Sequence, residues 1–210
     1  MEELFILQEI EFQILAGAMG IKRVYGIKPE TELDETNTMY TIHEMTGKGI
    51  LLQDEKGLYI TEPYRTALQI MKNADQILTV AGEKPGECCF YFGEKIVSLE
   101  SSRQDKNAVK IGLFEREMLC GKLQDGEFLP QPLLEMDIAC LQSEEDMLES
   151  ENPVYDEFCL YSTSDEEAKM KIFLLENPCN YWIKIEESDK VMYMHYSVES
   201  CYDCLKSVLH

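Results

Sequence analysis

The sequence predicts an α+β fold with two similar halves, each an antiparallel meander followed by a helix. A helix–β-ribbon–helix segment is predicted to precede the first meander. The first supporting observation is a change after Asn73, where apolar residues at helical spacing give way to short alternating runs. The second is that the order of four strands and a helix occurs twice, over about residues 75–123 and about residues 157–209. We therefore expect a quasi-twofold relation between the halves.

The chain is predicted to form a single domain over residues 1–210, with pseudo-repeated halves at about 1–123 and 133–210. Hydrophobic residues make up 45% of the chain, which is enough to bury a sizeable core. The stretch from Gln124 to Pro132 carries one glycine and two prolines, which interrupt regular structure and separate the halves.

The N-terminal part is predicted to be mainly helical. Apolar residues recur at helical spacing from Leu7 to Met19, and Phe5-Ile6 ahead of them predicts a short strand. A second helix is expected to begin at a cap formed by Thr36 or Asn37, because short polar side chains accept hydrogen bonds from the first free N–H groups of a helix.

The stretch GKGILLQDEKGLYITEPYRTALQIM, Gly47 to Met71, predicts the helix–ribbon–helix segment. The second helix is expected to end at Gly47 or at Gly49. Two short apolar runs flank a turn at Asp54 to Gly57, which is typical of a hairpin. Thr61 is the expected N-cap of the next helix, with Pro63 in the first turn, where its missing N–H costs nothing.

Eight further apolar runs predict strands, in two groups of four joined by short turns. The first group is QILTVAG, ECCFYFG, EKIVSLES and NAVKIGLFE, and the second is EFCLYST, AKMKIFLLE, NYWIKIEES and KVMYMHYSV. Helices are expected over Phe114–Leu123, over about 133–148 and over SVESCYDCLKSVL at the C-terminal end. The most acidic run, 143–151, lies at the end of the middle helix.

The charge of the chain argues against nucleic-acid binding. The helix–ribbon–helix pattern is common in winged-helix regulators, but the chain has 19 basic and 40 acidic residues, a formal net charge of −21. Affinity for DNA comes largely from cations that displace phosphate counterions. The predicted ribbon tip, Asp54-Glu55-Lys56, is acidic. The segment is therefore expected to serve as scaffold or as a protein-docking element, and a winged-helix-like regulator acting through protein contacts stays as an alternative.

The cysteines do not predict a redox or metal site. They are Cys88, Cys89, Cys120, Cys140, Cys159, Cys179, Cys201 and Cys204, and most lie inside apolar runs, where a reduced cysteine acts as a small buried hydrophobe. Cys201 and Cys204 form a C-x-x-C, but Asp203 lies between them and acidic residues surround them, which favours thiols of ordinary reactivity. His195 lies near this pair, at a spacing that matches no familiar zinc site.

No catalytic signature is present, so the sequence predicts a protein that is not an enzyme and binds no cofactor. It contains no nucleophile elbow, no zinc-protease helix motif and no phosphate-binding loop. The 40 acidic residues leave an enzyme with a carboxylate-based site as a further alternative. The chain has no apolar stretch of about 18 residues and no positively charged leader, which predicts a cytoplasmic protein without membrane insertion.

The order of these elements resembles the EspG-type chaperones of type VII (ESX) secretion, across most of the chain. The resemblance rests on an N-terminal strand and helix, a helix that ends in the quoted Gly47–Met71 stretch, the meander, and the helix at Phe114–Leu123. It implies a quasi-twofold α+β fold and a cytosolic protein that needs no cofactor. It also implies a partner, the aggregation-prone tip of a helical-hairpin secretion substrate.

The residues themselves suggest which side chains contact such a partner. Aromatic and methionine side chains adapt well as interface anchors, and they are concentrated in the last two predicted strands. The candidate partner-binding residues are Tyr181, Trp182, Tyr193, Met194 and Tyr196. The alternative for each of them is a place in the core of the sheet.

Overall fold

A computed structural model describes residues 2–27, 33–82, 88–101, 107–130, 154–162, 167–176, 181–187 and 190–208. The protein is α+β, as predicted, with antiparallel strands and five α-helices among these residues. The chain divides into two compact units. The first contains Met1–Asp75 and Cys88–Arg116, and the second contains Gln76–Glu87 and Glu117–His210. The quasi-twofold relation and the single-domain boundaries stay predictions.

The helices of the described residues are short. They are α1 (Glu9–Met19), α2 (Glu35–Gly47), α3 (Tyr64–Asn73), α4 (Leu119–Asp125), preceded by a 3-10 turn at Arg116–Met118, and α5 (Val198–Val208). None of the helices in the described ranges is long and apolar enough to cross a membrane. The C-terminal helix lies where the sequence predicts it, and the predicted helix over 133–148 and the acidic run 143–151 lie outside the described residues.

The sheet of the first unit is antiparallel, in the order β1-β7-β6-β5. Its strands are β1 (Glu3–Gln8), β5 (Cys88–Phe92), β6 (Ile96–Ser101) and β7 (Ala108–Phe114). All five residues of β5 are buried, and its sequence is a continuous apolar run. The helix α3 packs on β5 and β6, and α1 packs on β7. The pairing of β1 with β7 joins the two ends of the unit, and no local sequence pattern predicts it.

The sheet of the second unit is also antiparallel, in the order β4-β8-β9-β10-β11. Its strands are β4 (Gln76–Gly82), β8 (Val154–Ser162), β9 (Met170–Glu176), β10 (Tyr181–Glu187) and β11 (Lys190–His195). The meander from β8 to β11 confirms the predicted order of the C-terminal strands. The pairing of β4 with β8 spans a long stretch of chain and is a feature that the local pattern does not predict.

A buried carboxylate ties α1 to the end of α2. Glu11 is 3% exposed, and its Oε1 lies 2.7 Å from Nζ of Lys48, directly after α2. Its Oε2 accepts a hydrogen bond of 2.8 Å from the backbone N–H of Gln8, which caps α1. The salt bridge raises the pKa of Lys48, because the hydrogen bond that its ammonium donates to the carboxylate of Glu11 favours the charged form. The buried charge of Glu11 therefore has a structural role.

The helix–ribbon–helix segment is confirmed, with two corrections at its caps. The ribbon consists of β2 (Leu51–Asp54) and β3 (Gly57–Ile60), which form a separate two-stranded sheet. Thr61 was predicted to cap α3, and this is wrong, because its hydroxyl donates to the carbonyls of Gly49 and Ile50 at 2.8 and 3.0 Å and closes the base of the ribbon.

The other correction concerns the start of α2. The predicted caps, Thr36 and Asn37, already lie inside the helix, and Asp34 is the cap. Its Oδ1 accepts a hydrogen bond of 2.7 Å from the N–H of Asn37. This error arises because several polar residues occur together before α2, and spacing alone does not select the one whose backbone is extended.

The helix predicted over Phe114–Leu123 is also placed too early. Phe114 is the last residue of β7 and is fully buried in the first unit, where its ring lies 6.4 Å from that of Phe90. The helix α4 begins only at Leu119. The apolar spacing of this segment fits a helix, but tertiary pairing with β6 keeps its first residue extended.

Candidate protein-binding site

The strands β10 and β11 divide the five predicted partner-binding residues between two faces of the second unit's sheet. Side chains alternate along a strand, and Trp182 is directly opposite His195 while Ile183 is opposite Met194. Trp182 and Tyr193 therefore share one face. Tyr181 and Met194 lie on the other face, and Tyr196 follows β11 with its N–H donating to the carbonyl of Tyr181 at 3.0 Å.

Tyr181, Met194 and Tyr196 are held by contacts within the second unit. The rings of Tyr181 and Tyr196 meet edge to face with centroids 5.9 Å apart, and the Tyr196 hydroxyl donates to the carbonyl of Pro130 at 2.8 Å. The sulfur of Met194 lies 3.7 Å from the thiol of Cys204 on α5. These three residues, each half-buried, stabilise the face of the sheet that carries α5. Their predicted role in partner binding stays a prediction.

Trp182 and Tyr193 belong to a cluster that we call the aromatic face. Trp182 and Leu175 form its buried centre, and Phe173 and Tyr193 pack against them. The aromatic face consists of Phe173, Leu175, Trp182, Val191, Tyr193 and His195. Phe173 and Tyr193 are half-buried, whereas His195 is exposed and Val191 is 52% exposed. The cluster therefore has a buried base and an apolar rim in contact with solvent.

Trp182 is one of the two buried residues at the centre of the aromatic face. It is 1% exposed, so it belongs to the core and presents almost no surface to a partner. The ring of His195 lies over it, with centroids 3.9 Å apart and the ring planes tilted by 38°. The indole N–H is buried and has no hydrogen-bond partner among the described residues. An unsatisfied buried donor costs about 1–3 kcal/mol, and native proteins keep few of them.

The rim continues along β11, which is the last strand of its sheet in the described part of the chain. Val191 and Met192 are 52% and 46% exposed, and they point to opposite faces of this strand. An edge strand presents unpaired backbone N–H and C=O groups, which form hydrogen bonds to an added segment. Backbone donors and acceptors and apolar side chains therefore lie side by side at this edge.

Two pairs of opposite charges border the aromatic face. Nζ of Lys184 lies 2.6 Å from the carboxylate of Glu186 and 5.3 Å from the ring centroid of Phe173. The pKa of Lys184 is raised, chiefly by the hydrogen bond that its ammonium donates to the carboxylate of Glu186. Lys171 and Glu157 lie 3.9 Å apart on the neighbouring strands β9 and β8. The chemistry that this arrangement offers to a ligand is consequently apolar and aromatic, with a rim of neutralised charges.

Cys159, on the same sheet, is held as a protonated thiol. Burial and the hydrogen bond to the carboxylate of Glu157, with 3.1 Å between sulfur and oxygen, raise its pKa to about 12. The thiolate is the nucleophilic form, and each unit of pKa changes its population at a given pH about tenfold. Cys159 is therefore not an activated thiol of the kind that covalent catalysis needs.

We predict that Cys159 reacts with iodoacetamide at pH 8.5 at least about a hundredfold more slowly in the native protein than in urea. Peptide mass spectrometry of the alkylated protein measures the rate. The reaction is expected to accelerate as the pH approaches 12, because deprotonation of a thiol with a raised pKa begins only there. Alkylation of Cys159 at equal rates in the two states would contradict this assignment.

Outside the aromatic face, the described residues also carry thiols and buried carboxylates. They contain no group of three or more His, Cys, Asp or Glu side chains placed to hold a metal ion. Cys201 is buried and Cys204 is half-buried. The two buried carboxylates of α1 have structural partners, since Glu11 pairs with Lys48 and Glu9 accepts a hydrogen bond from Gln13.

Sequence reasoning missed several exposed apolar side chains in the first unit. The ribbon carries Leu52, Leu58 and Tyr59 at its surface, α2 carries Met39 and Tyr40, and β1 carries Leu4 and Ile6. The available signal was the alternation in β1, where Leu4 and Ile6 share one face while Leu7 is buried on the other. Their exposure could not be predicted, because apolar periodicity does not say which face is covered.

Comparison with known proteins finds a solved structure with a similar fold. No protein-family model and no curated protein sequence matches the chain. Among solved structures, the chain is similar to the Mycobacterium tuberculosis type VII secretion system chaperone EspG5, solved in complex with the PE25-PPE41 dimer. The two share a fold. The TM-score is 0.60 at 11% sequence identity, over 99% of this chain and 96% of the EspG5 chain. At this identity the likeness to EspG5 concerns the fold alone.

Proposed function

We propose that this chain is a non-enzymatic, cytoplasmic protein-binding module that acts as a chaperone or accessory factor for type VII secretion substrates. The observation that carries the proposal is the aromatic face beside β11, which is an edge strand in the described part of the chain. A stable fold gains nothing from leaving Val191 and the rims of Phe173 and Tyr193 in water, so their exposure favours a surface that a partner covers.

The size of the apolar contribution is sufficient for a specific complex. Full burial of one large apolar side chain contributes about 1.5–3 kcal/mol, and aromatic residues dominate interface energetics. Val191, Phe173 and Tyr193 surround a rigid base formed by Trp182 and Leu175. A rigid base lowers the entropic cost of binding, because the anchors are already held in place.

The likeness to EspG5 supports the kind of partner. That chaperone was solved with the PE25-PPE41 dimer, and a shared fold makes a protein ligand the natural first hypothesis. For this chain we propose the tip of a helical-hairpin secretion substrate, whose exposed apolar residues would pack on the aromatic face. Such a module needs no cofactor, since its task is to cover an apolar surface until the substrate is transferred.

The charge of the chain suits this task. With a formal charge of −21, both the free protein and a complex with an apolar client repel copies of themselves, which opposes aggregation. The same field repels nucleic acid and anionic lipid and attracts clients with basic residues beside their apolar tip. Association with such a client is expected to slow as salt is raised.

The test is co-expression of this chain with each small helical-hairpin protein encoded beside its gene. Val191→Glu places a carboxylate on the rim and is expected to weaken a complex at least about tenfold, since a charge buried without a partner is strongly unfavourable. Met39→Glu is the matched control, because Met39 is 67% exposed on α2 in the other unit and the charge change is identical. Titration calorimetry with the purified pair measures the difference.

Two outcomes would contradict the proposal. The first is that none of these proteins forms a complex with this chain. The second is a complex that Met39→Glu weakens as much as Val191→Glu does, because the binding surface would then lie outside the aromatic face.

A further inference from the structure

The strand β1 has an open outer edge in the first unit. It pairs with β7 over six residues and is the first strand of its sheet, with no other strand beside it in the described part of the chain. Leu4 and Ile6 are 56% and 60% exposed on one face of this strand. Exposed apolar residues on an edge strand are unusual, because such edges pair readily with other chains.

The hydrogen-bond pattern shows which backbone groups face outward. Directly after β1, the N–H of Glu9 donates to the carbonyl of Asn107 at 2.6 Å. In an antiparallel pair, hydrogen-bonded positions alternate, so Leu7, Phe5 and Glu3 direct their N–H and C=O groups towards β7. Leu4 and Ile6 therefore direct theirs away from it. The outward-facing backbone groups end at Gln8, whose N–H donates a hydrogen bond to the carboxylate of Glu11.

We propose that β1 pairs with β1 of a second copy of this chain, antiparallel and about a twofold axis at Phe5. In this register Leu4 of one copy is opposite Ile6 of the other, and the reverse pair completes the symmetry. All four outward N–H and C=O groups of Leu4 and Ile6 in each copy then form interchain hydrogen bonds. A twofold interface requires such a self-complementary surface.

The side chains favour this register over its neighbours. It brings the two exposed apolar pairs together on one face, and cross-strand apolar pairs stabilise a sheet. It also places Glu3 opposite Leu7 and Glu2 opposite Gln8, so that no carboxylate is directly opposite another. A register with its axis at Leu4 would instead place Ile6 opposite Glu2, and one with its axis at Ile6 would place Leu4 opposite Gln8.

The ends of β1 further reduce the repulsion between copies. Glu3 lies close enough to Lys95 to help raise the pKa of that lysine, although Glu115, 3.0 Å from its Nζ, is the main cause. The net charge of −21 still opposes association of two copies at low salt. The edge is short, so we expect a weak dimer with a dissociation constant on the order of 10–100 µM that tightens as salt is raised.

Light scattering on the purified full chain tests this, over protein concentrations on both sides of that range and at low and high salt. The mass is expected to rise from 24.3 kDa towards twice that value. Ile6→Glu is expected to keep the protein monomeric throughout. Val191→Glu is the matched control, since it adds the same charge on the β11 edge, and it should dimerise normally. Ile6→Pro removes the outward N–H without adding charge and should also abolish dimerisation.

The register has its own test. Leu4→Cys and Ile6→Cys chains are mixed in equal amounts, oxidised and analysed by peptide mass spectrometry. Paired Cα atoms about 5.5 Å apart permit a disulfide, so the mixed 4–6 disulfide should exceed the 4–4 and 6–6 disulfides at least about tenfold. A constant mass of 24.3 kDa, or a dimer that survives both Ile6 substitutions, overturns the proposal. Dominant 4–4 or 6–6 disulfides would overturn the register.

Discussion

Replacement of Trp182 by alanine is expected to lower the free energy of unfolding by about 3–5 kcal/mol. The side chain is 1% exposed and forms the centre of the aromatic face with Leu175, so its removal leaves a large cavity under His195. The surrounding residues lie on three strands joined by backbone hydrogen bonds, which oppose collapse of the cavity. Urea unfolding of the purified protein measures the loss.

Trp182→Phe is the control for this prediction. It keeps an aromatic ring and removes the indole N–H, which has no partner among the described residues. The loss of volume and the removal of an unsatisfied donor act in opposite directions, so the net change is expected to stay within about 1 kcal/mol. A loss as large as that of the alanine variant would show that the N–H has an essential partner.

Replacement of Gly26 by alanine is expected to destabilise the protein by about 2–4 kcal/mol. Gly26 has a φ of 74°, in the left-handed region that a Cβ disfavours. A Cβ at this position would also lie 2.3 Å from the sulfur of Cys89, which is fully buried in β5. The neighbouring Tyr25 is fixed by a hydrogen bond of 2.8 Å from its N–H to the hydroxyl of Tyr91, so the loop has little freedom to move away.

The energetic cost of the overlap with the Cys89 sulfur and the cost of the left-handed backbone at position 26 can be measured separately. In a Cys89→Ala background, Gly26→Ala meets no sulfur atom, and only the cost of the left-handed backbone remains, about 1–2 kcal/mol. Thermal unfolding of the four variants gives the coupling between the two positions. Additive effects in this cycle would mean that the sulfur and the new methyl group do not meet.

The α+β class and most of the elements could be predicted from the sequence because they depend on local periodicity. The change from helical spacing to alternation after Asn73 marks the boundary between α3 and β4. The ribbon follows from the turn residues between Asp54 and Gly57, which Asp54 closes by accepting hydrogen bonds from the N–H groups of Lys56 and Gly57.

Pairings between distant strands could not be predicted in this way. β1 pairs with β7 and β4 pairs with β8 because the faces of these strands must be buried together, and no residue in either strand specifies a distant partner. The same reason explains Phe114, whose side chain fits a helical stripe but is buried in β7. Tertiary packing overrides local propensity at these places.

The candidate site could be predicted from the sequence only to the level of two strands. Aromatic residues in β10 and β11 indicated the region, but the alternation of side chains separates Trp182 and Tyr193 from Tyr181 and Met194. Phe173 and Leu175 were missed because they lie on β9, and their position beside Trp182 depends on strand pairing. Val191 was missed because a single exposed valine has no distinctive sequence signal.

Amide hydrogen exchange of the chain, alone and with a purified helical-hairpin client, tests the central claim most directly. A client that covers the aromatic face and the β11 edge is expected to slow exchange in Lys190–His195 and leave exchange in β1 and α2 unchanged. The predicted result is protection confined to β11 and its neighbours, β9 and β10. Protection centred on the ribbon or on α2, with β11 unaffected, would contradict the account.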